Sequence, residues 1–204
     1  MDVRIITISR EFGSGGRTIG KKLAERLGVP YYDKELVNEV ALETGFDPRY
    51  IEEAGEHAPI GGRLAYAFNM QGVPGIMRGL SATDFLWCIQ REVILRIADK
   101  GPCVLIGRCA DYALKDRDDV INIFVSAPIE SRIKRVAARN NISEAEAKER
   151  IKKTDKSRAS YYNYYSSKDW GEAKSYDLCI DSSLLGIEGT VALLEELVKL
   201  KGMK

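Results

Sequence analysis

A glycine-rich turn near the start of the sequence constrains the fold more than any other feature. The run Val3 to Ser9 is short and β-branched, which predicts a strand. Three glycines follow, and then apolar residues recur at helical spacing at Ile19, Leu23 and Leu27. A strand, a glycine turn and a helix N-terminus in this order present backbone N–H groups to an anion. The turn therefore predicts a phosphate-binding site.

The phosphate-loop pattern G-x-x-x-x-G-K-[ST] matches this turn in part. Gly16 and Thr18 occupy the second glycine and the hydroxyl position, and Gly13, Ser14 and Gly15 are the small residues before them. Small residues let a phosphate reach the backbone amides, and the hydroxyl of Thr18 suits Mg²⁺. A glycine-rich connection without chemistry is the alternative, but the strand before it and the helix after it favour phosphate binding.

Two positions of the loop depart from the pattern. Glu11 stands where the first glycine would be, and Arg17 stands where the lysine would be. Arg17 keeps the positive charge and can bind phosphate oxygens, although a planar guanidinium is not equivalent to an ammonium group. A carboxylate that pointed into the loop would repel phosphate, so we expect Glu11 to pair with Arg10 or Lys21.

Strands and helices alternate along the rest of the 204 residues. Continuous apolar runs at Cys103–Ile106, Val120–Ser126 and Asp177–Asp181 predict buried strands. Alternation of this kind predicts an α/β fold in which a parallel sheet is covered on both faces. No linker divides the sequence, so we expect a single domain.

Composition excludes several classes of function. The 31 lysines and arginines nearly balance the 30 acidic residues, which argues against a general nucleic-acid binder. The four cysteines lack metal-type spacing, and no apolar run reaches the length of a membrane span. We therefore expect a cytoplasmic monomer or homodimer without nucleic-acid or membrane partners.

Five stretches of sequence carry a resemblance to a known family. They are Ile-Thr-Ile-Ser-Arg-Glu-Phe-Gly-Ser-Gly-Gly-Arg from residue 6, Tyr-Asp-Lys-Glu-Leu from 32, Gly-Pro-Cys-Val-Leu-Ile-Gly-Arg from 101, and Lys-Asp-Trp-Gly from 168 with Tyr-Asp-Leu-Cys-Ile from 176. With them the chain resembles, over nearly its whole length, the cytidylate kinase-like family of P-loop nucleoside monophosphate kinases.

The resemblance implies both a fold and an activity. The fold is a P-loop NTPase three-layer sandwich with a five-stranded parallel sheet, a helical lid at 143–170 and a monophosphate-binding segment at 33–80. The activity is Mg²⁺-dependent transfer of the γ-phosphoryl group of ATP to a nucleoside monophosphate, with CMP or dCMP as the first acceptors to consider. Such a reaction needs positioning and charge neutralisation more than covalent chemistry.

On the acceptor side, Arg108 corresponds to the family arginine that holds the acceptor's phosphate, a role suited to a bidentate guanidinium. Conventional members follow this arginine with an aspartate, where this chain has Cys109. Asp33 corresponds to an aspartate after the second strand, but the serine and arginine that usually follow it are missing. The identity of the acceptor therefore stays open.

On the transfer side, Arg132 corresponds to an arginine that reaches the phosphates in the closed state. Asp155 and Arg158 match the D-x-x-R of the lid, and we place Asp155 with the acceptor-binding residues. The other lid arginine position holds Ile151, so Arg150 is the nearest substitute. The implied catalytic set is Arg17, Arg132, Arg150 and Arg158.

Other conspicuous residues have more than one interpretation. Arg135 and Arg139 share the helical face of Arg132, and for Arg139 we favour a solvated position. The tyrosines at 161, 162, 164 and 165 either stack on a base, pack the lid against the body or form a subunit interface. His57 is interpreted as a solvated loop residue.

Two alternatives to the nucleoside monophosphate kinase remain. The altered acceptor segment is compatible with a P-loop kinase for another small acceptor, such as an alcohol. Loss of the loop lysine, the first loop glycine and one lid arginine is compatible with a module that binds a nucleotide or phosphate without transferring it.

Overall fold

The structure is a computed structural model, and it describes residues 4–54 and 82–202. Its centre is one sheet of five parallel strands in the spatial order β2-β3-β1-β4-β5. The strands are β1 (Ile5–Arg10), β2 (Tyr31–Tyr32), β3 (Cys103–Ile106), β4 (Val120–Ser126) and β5 (Leu178–Asp181). The predicted five-stranded parallel sheet is therefore confirmed.

Eight α-helices are described around this sheet. They are α1 (Gly16–Leu27), α2 (Lys34–Thr44), α3 (Pro48–Ala54), α4 (Ala82–Lys100), α5 (Ala110–Ala113), α6 (Ile129–Asn140), α7 (Glu144–Ser166) and α8 (Ser182–Leu200), with a short 3-10 helix at Ala173–Ser175. Within residues 4–54 and 82–202, no helix is long and apolar enough to cross a membrane.

Two apolar cores lie on opposite faces of the sheet and give the fold its three layers. Ile5 faces a core built largely from α2, α3 and α4, where it packs with residues such as Ile94. The next residue, Ile6, faces a core that α1 and α8 cover with Leu23 and Leu194. Successive side chains of a strand point to opposite faces, so a strand covered on both faces is buried along its whole length, as β1 is.

The topology places the functional residues at one edge of the sheet. Because all five strands are parallel, the segments that follow their carboxyl ends meet at that edge, which is where open α/β sheets bind ligands. The chain leaves β1 toward β2 and β3 on one side and later returns to β4 on the other. The glycine turn after β1 thus lies at the point where the strand order reverses.

The predicted acceptor-binding segment at 33–80 is described only as far as residue 54, where it forms α2 and α3. Residues 55–80, with His57, lie outside the described residues.

The predicted lid at 143–170 contains one continuous helix, α7, which begins with a capping box. The Ser143 hydroxyl accepts a hydrogen bond from the Glu146 amide, and the Glu146 carboxylate accepts one from the Ser143 amide.

Candidate active site

At two positions, the backbone of the glycine turn adopts a conformation that only glycine readily allows. Gly13 and Gly15 have φ values of +85° and +91°, in the left-handed region that other residues rarely adopt. A side chain would also have no room, since a Cβ at Gly13 would lie 2.8 Å from Val136 Cγ2, and one at Gly15 would collide with Ile187. The turn is therefore held in one shape by the packing of α6 and α8.

The carbonyl oxygens of residues 11–14 all accept hydrogen bonds from side chains. The bonds are Ser14 Oγ to Glu11 O (2.9 Å), Arg132 Nη1 to Phe12 O (3.4 Å), Arg135 Nη1 to Gly13 O (2.6 Å) and Ser182 Oγ to Ser14 O (2.5 Å). The C=O and N–H of a trans peptide point in opposite directions. The N–H groups of Gly13 and Gly15 consequently point away from Arg132 and Ser182, which is the arrangement that a phosphate needs.

Arg17, at the loop-lysine position, makes a bidentate ion pair with Asp33. Its Nε lies 2.8 Å from Asp33 Oδ2, and its Nη2 donates to Asp33 Oδ1 at 3.1 Å. Asp33 immediately precedes α2, so the pair joins the first turn of α1 to the start of the predicted acceptor segment. The structure thus brings together one residue predicted for the donor phosphates and one predicted for the acceptor.

Thr18 follows Arg17 in the first turn of α1, with its side chain exposed. A hydroxyl oxygen is a hard donor of the kind that Mg²⁺ accepts, and Mg²⁺ takes most of its remaining ligands from water and nucleotide phosphates. The position of Thr18 therefore fits an Mg²⁺ ion that arrives with a nucleotide.

A cavity with three arginines opens at the carboxyl edge of β1 and β3. It has about 250 Å³ of empty space, counting the part open to solvent. Its lining residues are Ser9, Arg10, Gly107, Arg108, Cys109, Arg158, Tyr161, Tyr162 and Trp170. Among these described lining residues there is no carboxylate, so the cavity suits an anion.

Arg108 is buried, and its position is fixed by neighbours from two elements. Its Nη1 donates to the Ile51 carbonyl oxygen at 2.9 Å and to Gln90 Oε1 at 3.3 Å. Gly107, Arg108 and Cys109 have φ values of +65°, +59° and +50°. Left-handed backbone at residues other than glycine is costly and is concentrated at functional sites. Here the strained turn directs the Arg108 side chain into the interior beside the cavity.

Arg10 lines the same cavity and was not among the predicted site residues. It ends β1 and is only 5% exposed. A charged residue directly after a short β-branched run that predicts a strand is the sequence signal that could have identified it. Glycine is required at position 16 because a Cβ there would lie 2.6 Å from Arg10 Cβ. The loop and this arginine are therefore packed together.

Arg158 connects the cavity to the loop. It lines the cavity, its Nη1 donates to the Arg10 carbonyl oxygen at 3.1 Å, and its guanidinium carbon lies 5.7 Å from the centre of the Phe12 ring. The resemblance places Arg158 at the transferring group. Its location between the loop and the cavity is compatible with that role.

Arg139 is exposed, in agreement with its interpretation as a solvated residue, and it also lies near the loop. Its guanidinium carbon is 5.4 Å from the centre of the Phe12 ring. Partial burial and then the charges of Arg17 and Arg150 lower the pKa of Arg139. Three arginines from α1, α6 and α7 thus contribute positive potential at this side of the loop.

Arg132 and Asp155, which were predicted to contact substrates, bind each other and the loop. Arg132 Nη1 lies 2.5 Å from Asp155 Oδ2, and the Phe12 amide donates to Asp155 Oδ1 at 2.7 Å.

The expected pairing of Glu11 with Arg10 or Lys21 is wrong. Glu11 Oε2 instead accepts a hydrogen bond from the Ala127 amide at 3.0 Å, and Oε1 lies 3.5 Å from Arg132 Nη2.

Ile151, at the position of a lid arginine, belongs to an apolar core between α6 and α7. It is buried with Val136 and Ala147, and Phe12 packs against the same cluster. A charged residue there would lose its hydration without gaining a partner in this cluster. Arg150, the proposed substitute, is exposed on α7.

The tyrosines of α7 pack its carboxyl-terminal part against the body of the protein. Tyr161 and Tyr162 are buried, and the Tyr165 ring stacks on Trp87 of α4 with centroids 4.9 Å apart. The Tyr162 hydroxyl donates to Asp111 at 2.6 Å. Of the three interpretations offered for this cluster, packing against the body is the one the structure shows.

Three features of this structure define a class of protein, the P-loop kinases. They are the parallel sheet, the glycine loop with its carbonyls bound on one side, and the arginines that converge at the strand ends. The chain belongs to the cytidylate kinase-like family, whose profile matches residues 5–184. It is 30% identical over 199 residues to the cytidylate kinase of Pyrococcus horikoshii, an alignment covering 95% of this chain and 88% of that one.

Solved structures agree with this assignment at the level of the fold. An uncharacterized protein from Eubacterium ventriosum is 29% identical with a TM-score of 0.68, and the match covers 97% of each chain. Shikimate kinase from Bacteroides thetaiotaomicron has a TM-score of 0.56 at 15% identity, covering 96% of this chain and 98% of that one, and shares the fold alone. Family and fold together identify a kinase that acts on a nucleotide or another small molecule.

Proposed function

We propose that this protein transfers the γ-phosphoryl group of ATP to a nucleoside monophosphate, with CMP or dCMP as the preferred acceptor. The observation that carries the proposal is the cavity that Arg10, Arg108 and Arg158 line. A phosphate monoester carries nearly two negative charges at neutral pH, which three guanidinium groups would neutralise. Relatives named cytidylate kinase support cytosine as the base.

In this proposal the donor nucleotide binds at the loop. The amides of Gly13 and of residues 15–18 would hold its phosphates, assisted by the positive end of α1. Thr18 would ligate the Mg²⁺ ion, which neutralises phosphate charge when it is bound. Arg17 would exchange Asp33 for a phosphate oxygen, since its side chain is exposed to solvent, where such an exchange costs little.

The acceptor phosphate would lie in the arginine-lined cavity. Arg108 would bind it, with its own position fixed by the Ile51 carbonyl and Gln90. Arg158, which contacts both the loop and the cavity, would stabilise charge on the group in transfer, and Arg150 would add to it from the exposed side of α7. Preorganised positive charge of this kind is the main way in which a protein accelerates phosphoryl transfer.

A kinase for another small acceptor, such as an alcohol, is the second candidate. Cys109 stands where the family has an aspartate and lies buried at the cavity, so one contact to the nucleoside is missing. A neutral alcohol fits the three arginines less well than a phosphate does. A module that binds nucleotides without transfer is the remaining alternative.

An ADP-release assay with ATP and Mg²⁺, run across CMP, dCMP, UMP and small alcohols, tests the proposal. We expect the largest kcat/KM with CMP or dCMP. Faster turnover of an alcohol would favour the second candidate. Absence of turnover with every acceptor, with ATP binding retained, would contradict a kinase altogether.

Arg108→Ala tests the acceptor site directly. Removing one charged donor from a preorganised site lowers kcat/KM by about a hundredfold or more. Arg91→Ala is the matched control, because Arg91 is exposed on α4 and does not line the cavity. Equal effects of the two substitutions would remove Arg108 from the proposed site.

A further inference from the structure

The two carboxylate oxygens of Asp155 are both engaged on the loop side of α7. Oδ1 accepts the Phe12 amide at 2.7 Å, and Oδ2 lies 2.5 Å from Arg132 Nη1. The same Nη1 also lies 3.4 Å from the Phe12 carbonyl oxygen. One carboxylate and one guanidinium thus bind both polar groups of a single loop residue.

Glu11 completes this network from the other side of Arg132. Its two oxygens reach Arg132 Nη2 at 3.5 Å and the Ala127 amide at 3.0 Å. Ala127 follows β4 directly, so the network joins the loop to the end of β4, to α6 and to α7. All three charged side chains are largely buried, which strengthens their electrostatic interactions.

The network lies directly beside the glycines that shape the loop. A Cβ at Gly13 would be 3.2 Å from both the Cβ and the carbonyl oxygen of Arg132. One helical turn further along α6, Arg135 donates to the Gly13 carbonyl at 2.6 Å. A shift of α6 or α7 would therefore move the Phe12 and Gly13 peptides, whose orientation directs the amides of the loop.

We propose that Asp155 is a positioning residue for the phosphate loop, and that it acts on the donor nucleotide rather than on the acceptor. It fixes the Phe12 peptide and orients Arg132, and the loop amides bind phosphate in the geometry that results. Glu11 takes part in this support, which accounts for a carboxylate at a position where a phosphate loop usually has glycine. The inference rests on the proposed nucleotide-binding role of the loop.

Equilibrium titrations with MgADP and, separately, with CMP distinguish the two roles of Asp155. Asp155→Asn keeps an oxygen that can accept the Phe12 amide but removes the charge that faces Arg132. Since a hydrogen bond to a charged group contributes about 1.5–3 kcal/mol, we expect the MgADP Kd to rise about tenfold or more. The CMP Kd should not change. Glu149→Gln, on the exposed face of the same helix, should change neither.

An increased CMP Kd with an unchanged MgADP Kd would overturn the inference and return Asp155 to the acceptor site. If Asp155→Asn does not fold by circular dichroism, Glu11→Gln serves instead, because it weakens the hold on Arg132 and leaves Asp155 in place. We then expect a smaller rise in the MgADP Kd, and an unchanged MgADP Kd would overturn the inference. A protein that binds MgADP in this Asp155-dependent way, yet phosphorylates no acceptor, would contradict the proposed function alone.

Discussion

Two arginine–carboxylate pairs flank the phosphate loop, and they differ in their exposure to solvent. The Arg132–Asp155 pair, between α6 and α7, has side chains only 10% and 17% exposed. In the Arg17–Asp33 pair, between α1 and α2, the arginine is 44% exposed and the aspartate 13% exposed. Both pairs have short contacts and a largely buried carboxylate, so the exposure of the arginine separates them.

Burial decides what each pair can do. Breaking a buried pair leaves a charge without solvent or partner, so the buried arrangement is rigid. An exposed pair contributes little and is replaced easily by water or by another anion. We infer that the loop has a fixed side at α6 and α7 and an exchangeable side at Arg17, where a substrate phosphate competes with a carboxylate.

Arg132→Met tests the fixed side and should have the largest effect. The substitution leaves the carboxylates of Glu11 and Asp155 near each other without their cation. We expect the free energy of unfolding, measured in urea, to fall by about 3 kcal/mol. Lys134→Met on the exposed face of α6 is the control. If both variants lose the same stability, the Arg132–Asp155 pair does not stabilise the protein as a buried pair should.

Asp33→Asn tests the exchangeable side. Because the arginine of the pair is exposed, we expect the free energy of unfolding to change by less than about 1 kcal/mol. Arg17 then loses its bidentate contact with the Asp33 carboxylate, so MgADP should bind more tightly than to the unsubstituted protein, as titration calorimetry would show. Weaker MgADP binding in Asp33→Asn would mean that Asp33 supports the nucleotide site rather than competing with the phosphate.

Glu11→Gln tests the fixed side through the pH dependence of the free energy of unfolding, and we expect it to have the smallest effect on stability of the three substitutions. Burial raises the pKa of the Glu11 carboxyl, while the Ala127 amide and Arg132 oppose the rise and Asp155 and Asp181 add to it. Since the folded protein holds this proton more tightly than the unfolded chain, stability is greatest below the ordinary carboxyl pKa and decreases as pH rises through the Glu11 pKa. Urea unfolding as a function of pH should lose this slope in Glu11→Gln, and an unchanged slope would assign it to another group.

The sequence predicted the sheet well and the partners of the charged residues poorly. The strands Cys103–Ile106 and Val120–Ser126 lie where they were expected, because a continuous apolar run bounded by turns is a local signal. Glu11 instead depends on Ala127, 116 residues away, and Asp155 on Phe12, 143 residues away. No local pattern encodes which distant group a charged side chain meets.

The arginines illustrate the same limit within one helix. Helical spacing correctly placed Arg132, Arg135 and Arg139 on one face of α6, and all three contact the loop. Spacing alone did not show which part of that face meets solvent and which meets protein: Arg132 is buried, whereas Arg139 is exposed, as was favoured for it. Arg10 was missed for a related reason, because its contacts come from α1, β4 and α7 rather than from its own strand.

The hydrogen bond from Ser182 to the Ser14 carbonyl also bears on the order in which the protein forms. The donor lies 168 residues after the acceptor along the chain, and Ile187, which packs on Gly15, comes later still. Chains emerge from the ribosome amino-terminus first, so the loop is made early but reaches its final shape only when α8 has docked. A nascent chain that ends before residue 182 should lack the complete phosphate site although every loop residue is present.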